Sequence, residues 1–202
     1  MYIKRTIEKS IERANKFFPV VMVTGPRQVG KTTVLQNCET QPRTYVSLDT
    51  LENRELAKND PTLFLQRYPA PVLIDEIQYA PELFPYIKAS VDKEKKSGMY
   101  WLTGSQQFHL MKNVSESLAG RVGILQLEGL SQDEKNGHPD VPPFLPTEEY
   151  IKTKVHSAAE TDLLKIYELI WKGSYPKLYP ADSDYWACLL YTSPSPRDIS
   201  GS

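Results

Sequence analysis

The chain has 202 residues, 40% of them hydrophobic, which is enough for one compact α/β domain and the beginning of a second. Its 24 Lys and Arg nearly balance its 25 Asp and Glu, and a net charge of −1 excludes the global basic field of an obligatory nucleic-acid binder. Because it has only two cysteines, three scattered histidines and no long apolar stretch, a disulfide framework, a zinc site and a membrane span are not indicated, and we expect a soluble protein of the reducing cytoplasm.

The first predicted elements surround a glycine-rich motif. An amphipathic helix over residues 3–17 leads into an apolar strand at residues 20–23. That strand is followed by the motif Gly25-Pro26-Arg27-Gln28-Val29-Gly30-Lys31-Thr32, whose last two residues begin a helix predicted at residues 31–38. In such a phosphate-binding loop the glycines let backbone N–H groups turn toward phosphate oxygens, Lys31 reaches the β and γ phosphates, and the Thr32 hydroxyl ligates Mg²⁺. The motif therefore predicts binding of a nucleoside triphosphate.

A pair of carboxylates, Asp75 and Glu76, follows the apolar strand predicted at residues 72–74. At the end of a strand beside the phosphate loop, Asp75 would hold Mg²⁺ through water. Glu76 would polarise the water that attacks the γ-phosphorus, a role that a mere binder does not need. The predicted elements between the two motifs are a strand at residues 45–48 and a helix at residues 61–67.

Small polar residues end the fourth predicted strand, at residues 99–103, which follows a helix from Pro81 to the lysine run at residues 93–96. In sheets of this kind the strand beside the phosphate loop points its last residues at the γ-phosphate, so Thr103 or Ser105 is a candidate to position the attacking water. The same segment also suits an ordinary strand-to-helix turn with Ser105 as the N-cap. Both interpretations can hold together.

Arg121 stands between a helical stretch predicted at residues 115–118 and a fifth strand at residues 122–127. Phosphoryl transfer gains about 10³ to 10⁵ in rate from an arginine that meets the charge developing on the γ-phosphate, although spacing alone equally allows a surface role. Strands that alternate with helices predict a parallel sheet covered on both faces. Beyond the fifth strand the predicted elements are a loop at residues 137–143 and helices at residues 148–154 and 162–171.

Four motifs, taken in this order, resemble those of one family. They are Gly-Pro-Arg-Gln-Val-Gly-Lys-Thr-Thr, Leu-Ile-Asp-Glu-Ile-Gln, Leu-Thr-Gly-Ser-Gln and Ser-Leu-Ala-Gly-Arg. With them the chain is similar, over residues 2–130 and again at residues 173–176, to the prokaryotic AAA-type ATPases that carry a further C-terminal domain. The resemblance implies an α/β P-loop NTPase fold, a three-layer αβα sandwich with a parallel five-stranded sheet of order 5-1-4-3-2, followed by a few helices. It also implies that residues 1–130 are the ATPase core.

The resemblance assigns roles to the motif residues. It implies that Ser105 or Gln106 is the sensor and that Arg121 is a candidate arginine finger, acting on its own site or on that of a neighbouring subunit. The expected catalytic residues are Glu76, Lys31, Arg121 and Ser105, and the expected metal ligands are Thr32 and Asp75. The residues expected to bind ATP are Gly25, Pro26, Arg27, Gln28, Val29, Gly30, Lys31, Thr32 and Thr33, with exposure to solvent as the alternative for Arg27. Asp49 is expected near the same crevice without an assigned role.

We expect a Mg²⁺-dependent ATPase that works as a nucleotide-driven switch, because a site that only senses nucleotide has no need of Glu76. The alternative is a regulatory ATP-binding module with little turnover that recruits a protein or DNA partner through a C-terminal domain. A kinase is a weaker alternative, since nothing in the sequence resembles a pocket for a second substrate. Whether the protein is a homo-oligomer is left open.

The end of the chain differs in composition from the rest. Residues 188–202 resemble the translation of a sequencing-library adapter, and a disordered Ser/Pro tail is the alternative. We therefore expect the natural chain to continue beyond residue 187, with residues 131–187 as a helical extension that leads to a truncated second domain.

Overall fold

The structure, a computed structural model, describes residues 2–105, 114, 116–140, 145–157 and 161–179. The chain divides into two compact units, one of residues Ile7–Gly129 and one that combines Met1–Thr6 with Leu130–Ser202. The expected tail at residues 188–202 and the alternative sensor Gln106 lie outside the described residues. Within the described ranges, every helix is too short or too polar to reach across a lipid bilayer.

The unit of residues Ile7–Gly129 is built on a five-stranded sheet. Its strands are β1 (Val20–Thr24), β2 (Thr44–Ser47), β3 (Val72–Asp75), β4 (Tyr100–Gly104) and β5 (Val122–Gln126). They lie in the order β2-β3-β4-β1-β5, and each neighbouring pair is parallel. The predicted order 5-1-4-3-2 is therefore confirmed. Since all strands run the same way, their carboxyl ends meet at one edge of the sheet.

Helices cover both faces of this sheet, as the predicted three-layer sandwich requires. They are α1 (Glu8–Phe17), α2 (Lys31–Asn37), α3 (Leu51–Asn59), α4 (Pro61–Arg67) and α5 (Leu83–Glu94), and a 3₁₀ turn follows β3 at Ile77–Tyr79. The central strand β1 is buried along its whole length. Val20 and Met22 belong to the core formed with α3, α4 and α5, whereas Val21 and Val23 point to the opposite face, where α1 and α2 contact the strands.

Two helices of the unit of residues Ile7–Gly129 differ clearly from the sequence prediction. α1 begins at Glu8 rather than at residue 3, because Thr6 and Arg5 bind the buried carboxylate of Glu134 instead. α3 was not predicted, and its sequence explains the omission: Ala57 is the only fully buried residue of this helix, so it has no clear apolar periodicity. The helix predicted at residues 61–67 is present with those bounds, and its N-cap is formed by the Asp60 side chain.

The other unit contains short helices joined by polar contacts. Its helices are α6 (Gln132–Lys135), α7 (Glu148–Ser157) and α8 (Leu163–Lys172), with a 3₁₀ turn at Pro176–Leu178. Glu134 closes a capping box with Ser131 and accepts a second N–H, from Thr6, at 2.7 Å. Burial raises the pKa of Glu134, but the hydrogen bonds from Ser131 and Thr6 and the charge of Arg5 outweigh it, so the pKa lies below its ordinary value. This carboxylate therefore stays ionised while it joins two distant parts of the chain.

Candidate active site

Loops from several strands meet at the carboxyl edge of the sheet. The phosphate loop, residues 25–32, follows β1 and leads into α2. Asp75 ends β3 and Glu76 follows it, Ser105 follows β4, and Asp49 comes shortly after β2. The parallel topology thus brings these sequence-predicted residues to one edge, where ligands of open α/β sheets bind.

Two glycines give the phosphate loop its shape. Gly25 has φ +150°, and a Cβ built on it would lie 2.0 Å from the carbonyl oxygen of Leu127. Gly30, at φ +91°, has no heavy atom within 4 Å of such a Cβ, so open space adjoins the start of α2. The loop therefore leaves open space beside the start of α2, where a phosphate group can lie. Of the other expected contacts, Pro26, Arg27 and Thr33 are exposed, Gln28 is half-buried with φ +64°, and Val29 is buried.

Lys31 lies inside the phosphate loop rather than in solvent. Its side chain is 6% exposed, and Nζ donates to the carbonyl oxygens of Gly25, at 3.2 Å, and Pro26, at 2.9 Å. Burial lowers the pKa of Lys31, while the charges of Glu76 and Asp75 oppose that effect. A buried ammonium group whose hydrogen bonds go to carbonyl oxygens gains further from an anion that enters the loop.

Asp75 is the centre of a network of hydroxyl groups. Thr32 Oγ1 donates to Asp75 Oδ1 at 2.7 Å, and Thr103 Oγ1 donates to the same oxygen. Tyr45 donates from β2 to Asp75 Oδ2 at 3.1 Å, and burial, followed by the charge of Asp75, raises the pKa of this tyrosine. One hydroxyl and one carboxylate are hard oxygen donors of the kind Mg²⁺ takes from a protein when phosphates complete its shell, so the residues fit this ion.

Glu76 is held at its backbone and at its carboxylate. Its N–H donates to Thr103 Oγ1 at 3.0 Å, and the Gln78 side-chain amide donates to Glu76 Oε2. The residue has φ +58° and ψ +48°, a left-handed conformation that costs a non-glycine residue roughly 1–2 kcal/mol. Strain of this kind persists where the surrounding contacts fix it, and it is frequent at functional sites.

Ser105 and Thr103 differ in what their hydroxyls do. The Thr103 hydroxyl is occupied on both sides, since it donates to Asp75 and accepts from the Glu76 N–H. The Ser105 Oγ is buried and has no hydrogen-bond partner among the described residues. A buried hydroxyl without a partner is costly unless a ligand or water supplies one, so of the two hydroxyls that of Ser105 is the one still able to bind a ligand or a water.

Arg121 lies away from this edge. Its carbonyl accepts from the N–H of Val20, so it stands beside the first residue of β1, at the amino end of the sheet. The five residues of β1 put about 16 Å of backbone between it and the phosphate loop. Its guanidinium instead forms two hydrogen bonds with Asp92 of α5, at 2.6 and 3.0 Å, and these lower the pKa of Asp92. The structure therefore does not bring Arg121 to the phosphate loop of its own chain.

Sequence reasoning missed two residues of this network, Tyr45 and Gln78. Tyr45 reaches Asp75 because it pairs with Leu73 in the register of β2 and β3, which no motif indicates. Gln78 lies two residues after Glu76, inside the Leu-Ile-Asp-Glu-Ile-Gln motif. Its position in that motif was a signal that could have identified it.

Comparisons with known proteins agree with this arrangement. The family model described as "AAA domain" matches residues 17–136. Two uncharacterized proteins, Mb2031c of Mycobacterium bovis and Rv2008c of Mycobacterium tuberculosis, are each 36% identical to the chain over 130 residues, which is 63% of this chain and 29% of each relative. The chain thus spans less than a third of the length of these curated relatives. The solved structure of the Walker-type ATPase PABY2304 of Pyrococcus abyssi is similar to this chain with a TM-score of 0.53 and 16% identity. The similarity covers 87% of this chain and 65% of that one, and at this identity it supports only a shared fold.

Proposed function

We propose that this chain binds ATP with Mg²⁺ and hydrolyses it as a nucleotide-driven switch. The chain belongs to the AAA domain family, and the carboxyl edge of its sheet has the polar residues described above. The observation that carries the proposal is the contact between the phosphate loop and β3: Thr32 Oγ1 lies 2.7 Å from Asp75 Oδ1. Glu76 is the next residue in the chain after Asp75. Two donors for a metal ion and a second carboxylate therefore lie at the mouth of a glycine-rich loop. Binding alone does not require the second carboxylate.

Each residue has a defined part in the proposed reaction. Lys31 and the loop amides bind the β and γ phosphates, while Thr32, and Asp75 through water, would hold Mg²⁺, which would offset phosphate charge. Glu76 accepts a proton from the attacking water, whose oxygen bonds to the γ-phosphorus as the bond to the bridging β-γ oxygen breaks. Ser105 Oγ orients that water. The products are ADP and inorganic phosphate.

Lys31→Ala tests the nucleotide site. We expect hydrolysis to stop and affinity for ATP to fall about 10- to 100-fold, because a charge-assisted contact to phosphate is worth roughly 1.5–3 kcal/mol. Steady-state phosphate release and equilibrium binding of a fluorescent ATP analogue measure the two effects. Lys58→Ala, at an exposed lysine of α3, is the control and should change neither.

The same assay distinguishes the switch from the binding module. Nucleotide bound by the unmodified chain without turnover would favour a regulatory module that recruits a protein or DNA partner through parts of the protein beyond residues 1–130. Hydrolysis that persists unchanged in Lys31→Ala would contradict the site itself. A parallel titration with GTP addresses base preference, because the phosphate loop contacts phosphates and not the base.

Arg121 is proposed to act on a second copy of the chain. It stands at the amino end of the sheet and its side chain is 33% exposed, so it is accessible to another molecule while remote from its own loop. In this role it would meet the charge that develops on the γ-phosphate of the neighbour. The proposal implies a homo-oligomer in the active state.

A mixing experiment tests Arg121. We expect Arg121→Ala to lose about 10³-fold in rate, and an equal mixture with Glu76→Gln to regain about a quarter of the wild-type rate, because half of the sites keep Glu76 and half of those meet an intact arginine. Arg67→Ala, at an exposed arginine paired with Glu52, is the matched control. A mixture that stays inactive would contradict action between copies.

A further inference from the structure

The side chain of Gln78 bridges the ends of two strands at the candidate active site. It lies on the 3₁₀ turn Ile77–Tyr79 and is half-buried. Its Nε2 donates to Glu76 Oε2, and its Oε1 accepts from the backbone N–H of Ser105 at 3.3 Å. One amide thus connects the carboxylate that follows β3 with the residue that follows β4.

The two contacts fix the orientation of this amide. Its nitrogen faces a carboxylate, which as an anion only accepts, and its oxygen faces a backbone N–H, which only donates. The flipped amide would set two oxygens against each other and two donors against each other. The Gln78 side chain therefore matches both neighbours in one orientation.

Glu76 is consequently restrained at both of its ends. Thr103 Oγ1 holds its backbone N–H at 3.0 Å in the left-handed conformation, and Gln78 holds Oε2 of its carboxylate. The other oxygen, Oε1, has no partner among the described residues and is the one left for a water. A neutral amide orients the carboxylate through a hydrogen bond, without the ion pair that a lysine or arginine in its place would form.

We propose that Gln78 is a positioning residue that sets the Glu76 carboxylate for proton transfer and ties its orientation to Ser105 at the end of β4. This inference rests on the proposed function, since it acts through the role given there to Glu76. In this role Gln78 acts through Glu76 and Ser105, the two residues it contacts, and not by binding the nucleotide. Its effect is therefore expected in kcat and not in the affinity for ATP.

Two substitutions of Gln78 distinguish its hydrogen bond to Glu76 from its hydrogen bond to Ser105. Gln78→Met keeps the length of the side chain and removes both hydrogen bonds, so kcat should fall about tenfold while KM for ATP stays within about twofold, as for a misplaced catalytic group. Gln78→Glu keeps an acceptor for the Ser105 N–H but sets a carboxylate against Glu76, so we expect a larger fall, about a hundredfold. Gln66→Met, at an exposed glutamine of α4, is the control and should behave as the wild type.

A double-variant cycle ties the effect to Glu76. In a Glu76→Gln background, Gln78→Met should lower the rate no further, because the group that it positions is gone. Wild-type kcat in Gln78→Met or in Gln78→Glu, or an additive loss in the double variant, would overturn the inference. A loss of nucleotide affinity in both single variants would overturn it in favour of a structural role.

These failures are distinguishable from a failure of the proposed function. When Glu76→Gln abolishes turnover but the Gln78 variants do not change it, only the inference about Gln78 is wrong. When Glu76→Gln itself turns over at the wild-type rate, the proposed role of Glu76 and the inference about Gln78 are both wrong.

Discussion

Replacement of Glu76 by Gln is expected to lower ATP turnover by about 10²- to 10⁴-fold, which is the usual contribution of a positioned proton acceptor. Affinity for ATP should stay close to that of the wild type, because Lys31, Thr32 and the loop amides are unchanged. The amide of the new side chain fills the same space but cannot take the proton from water. ATP should therefore accumulate on the protein.

Single-turnover measurements with enzyme in excess over ATP separate this loss of chemistry from a loss of binding. Glu82→Gln makes the same change of charge at an exposed position just before α5 and should leave the rate unchanged. Turnover by Glu76→Gln at the wild-type rate would mean that another group accepts the proton. Weak binding by this variant would mean that Glu76 shapes the nucleotide pocket instead.

Gly25→Ala is expected to abolish nucleotide binding and to destabilise the unit of residues Ile7–Gly129. The added methyl group would lie 2.0 Å from the Leu127 carbonyl oxygen, where a real Cβ atom is not tolerated closer than 3.0 Å. The phosphate loop or the segment after β5 must then move by about an ångström, and overpacking of this kind typically costs about 1–3 kcal/mol. Either shift would misplace the amides that are to bind phosphate.

Gly120→Ala is the matched control. Gly120 also has a positive φ, +72°, but no heavy atom lies within 4 Å of a Cβ built on it. A Cβ at Gly120 therefore also meets a positive φ but no collision, and nucleotide binding should survive. Denaturant unfolding together with equilibrium binding of a fluorescent ATP analogue measures both variants. Wild-type binding by Gly25→Ala would show that the loop has another conformation in solution.

The parts of the molecule that sequence predicts well are those encoded in contiguous residues. Most of the strands followed from short apolar segments between glycine, proline and polar residues, whereas the order of the sheet was implied by the resemblance of four motifs. α3 was not predicted because Ala57 is its only fully buried residue, so its sequence lacks the apolar periodicity that identifies a helix. The late start of α1 depends on Glu134, which lies 128 residues beyond Thr6 in the chain.

The residues of the candidate site also differ in whether local sequence identifies them. The phosphate loop, Asp75 and Glu76 belong to uninterrupted motifs, and the parallel topology brings them together. Tyr45 reaches the same carboxylate only through the pairing register of β2 with β3, which local sequence does not determine. The location of Arg121 follows from a simpler rule: a residue directly before a parallel strand lies at the amino edge of the sheet, opposite the loop that follows the strand beside it.

The distance between Arg121 and the phosphate loop also limits the assemblies in which the two can meet. One stands at the amino edge of the sheet and the other at the carboxyl edge, so a contact between them places the amino edge of one copy against the carboxyl edge of another. A two-fold dimer with antiparallel sheets makes two such contacts at once, whereas head-to-tail contacts that repeat in one direction end in a closed ring or an open filament. If Arg121 acts between copies as proposed, the terminal copy of a filament has a loop that no arginine reaches, so turnover per copy would rise with the number of copies and be complete only in a closed assembly.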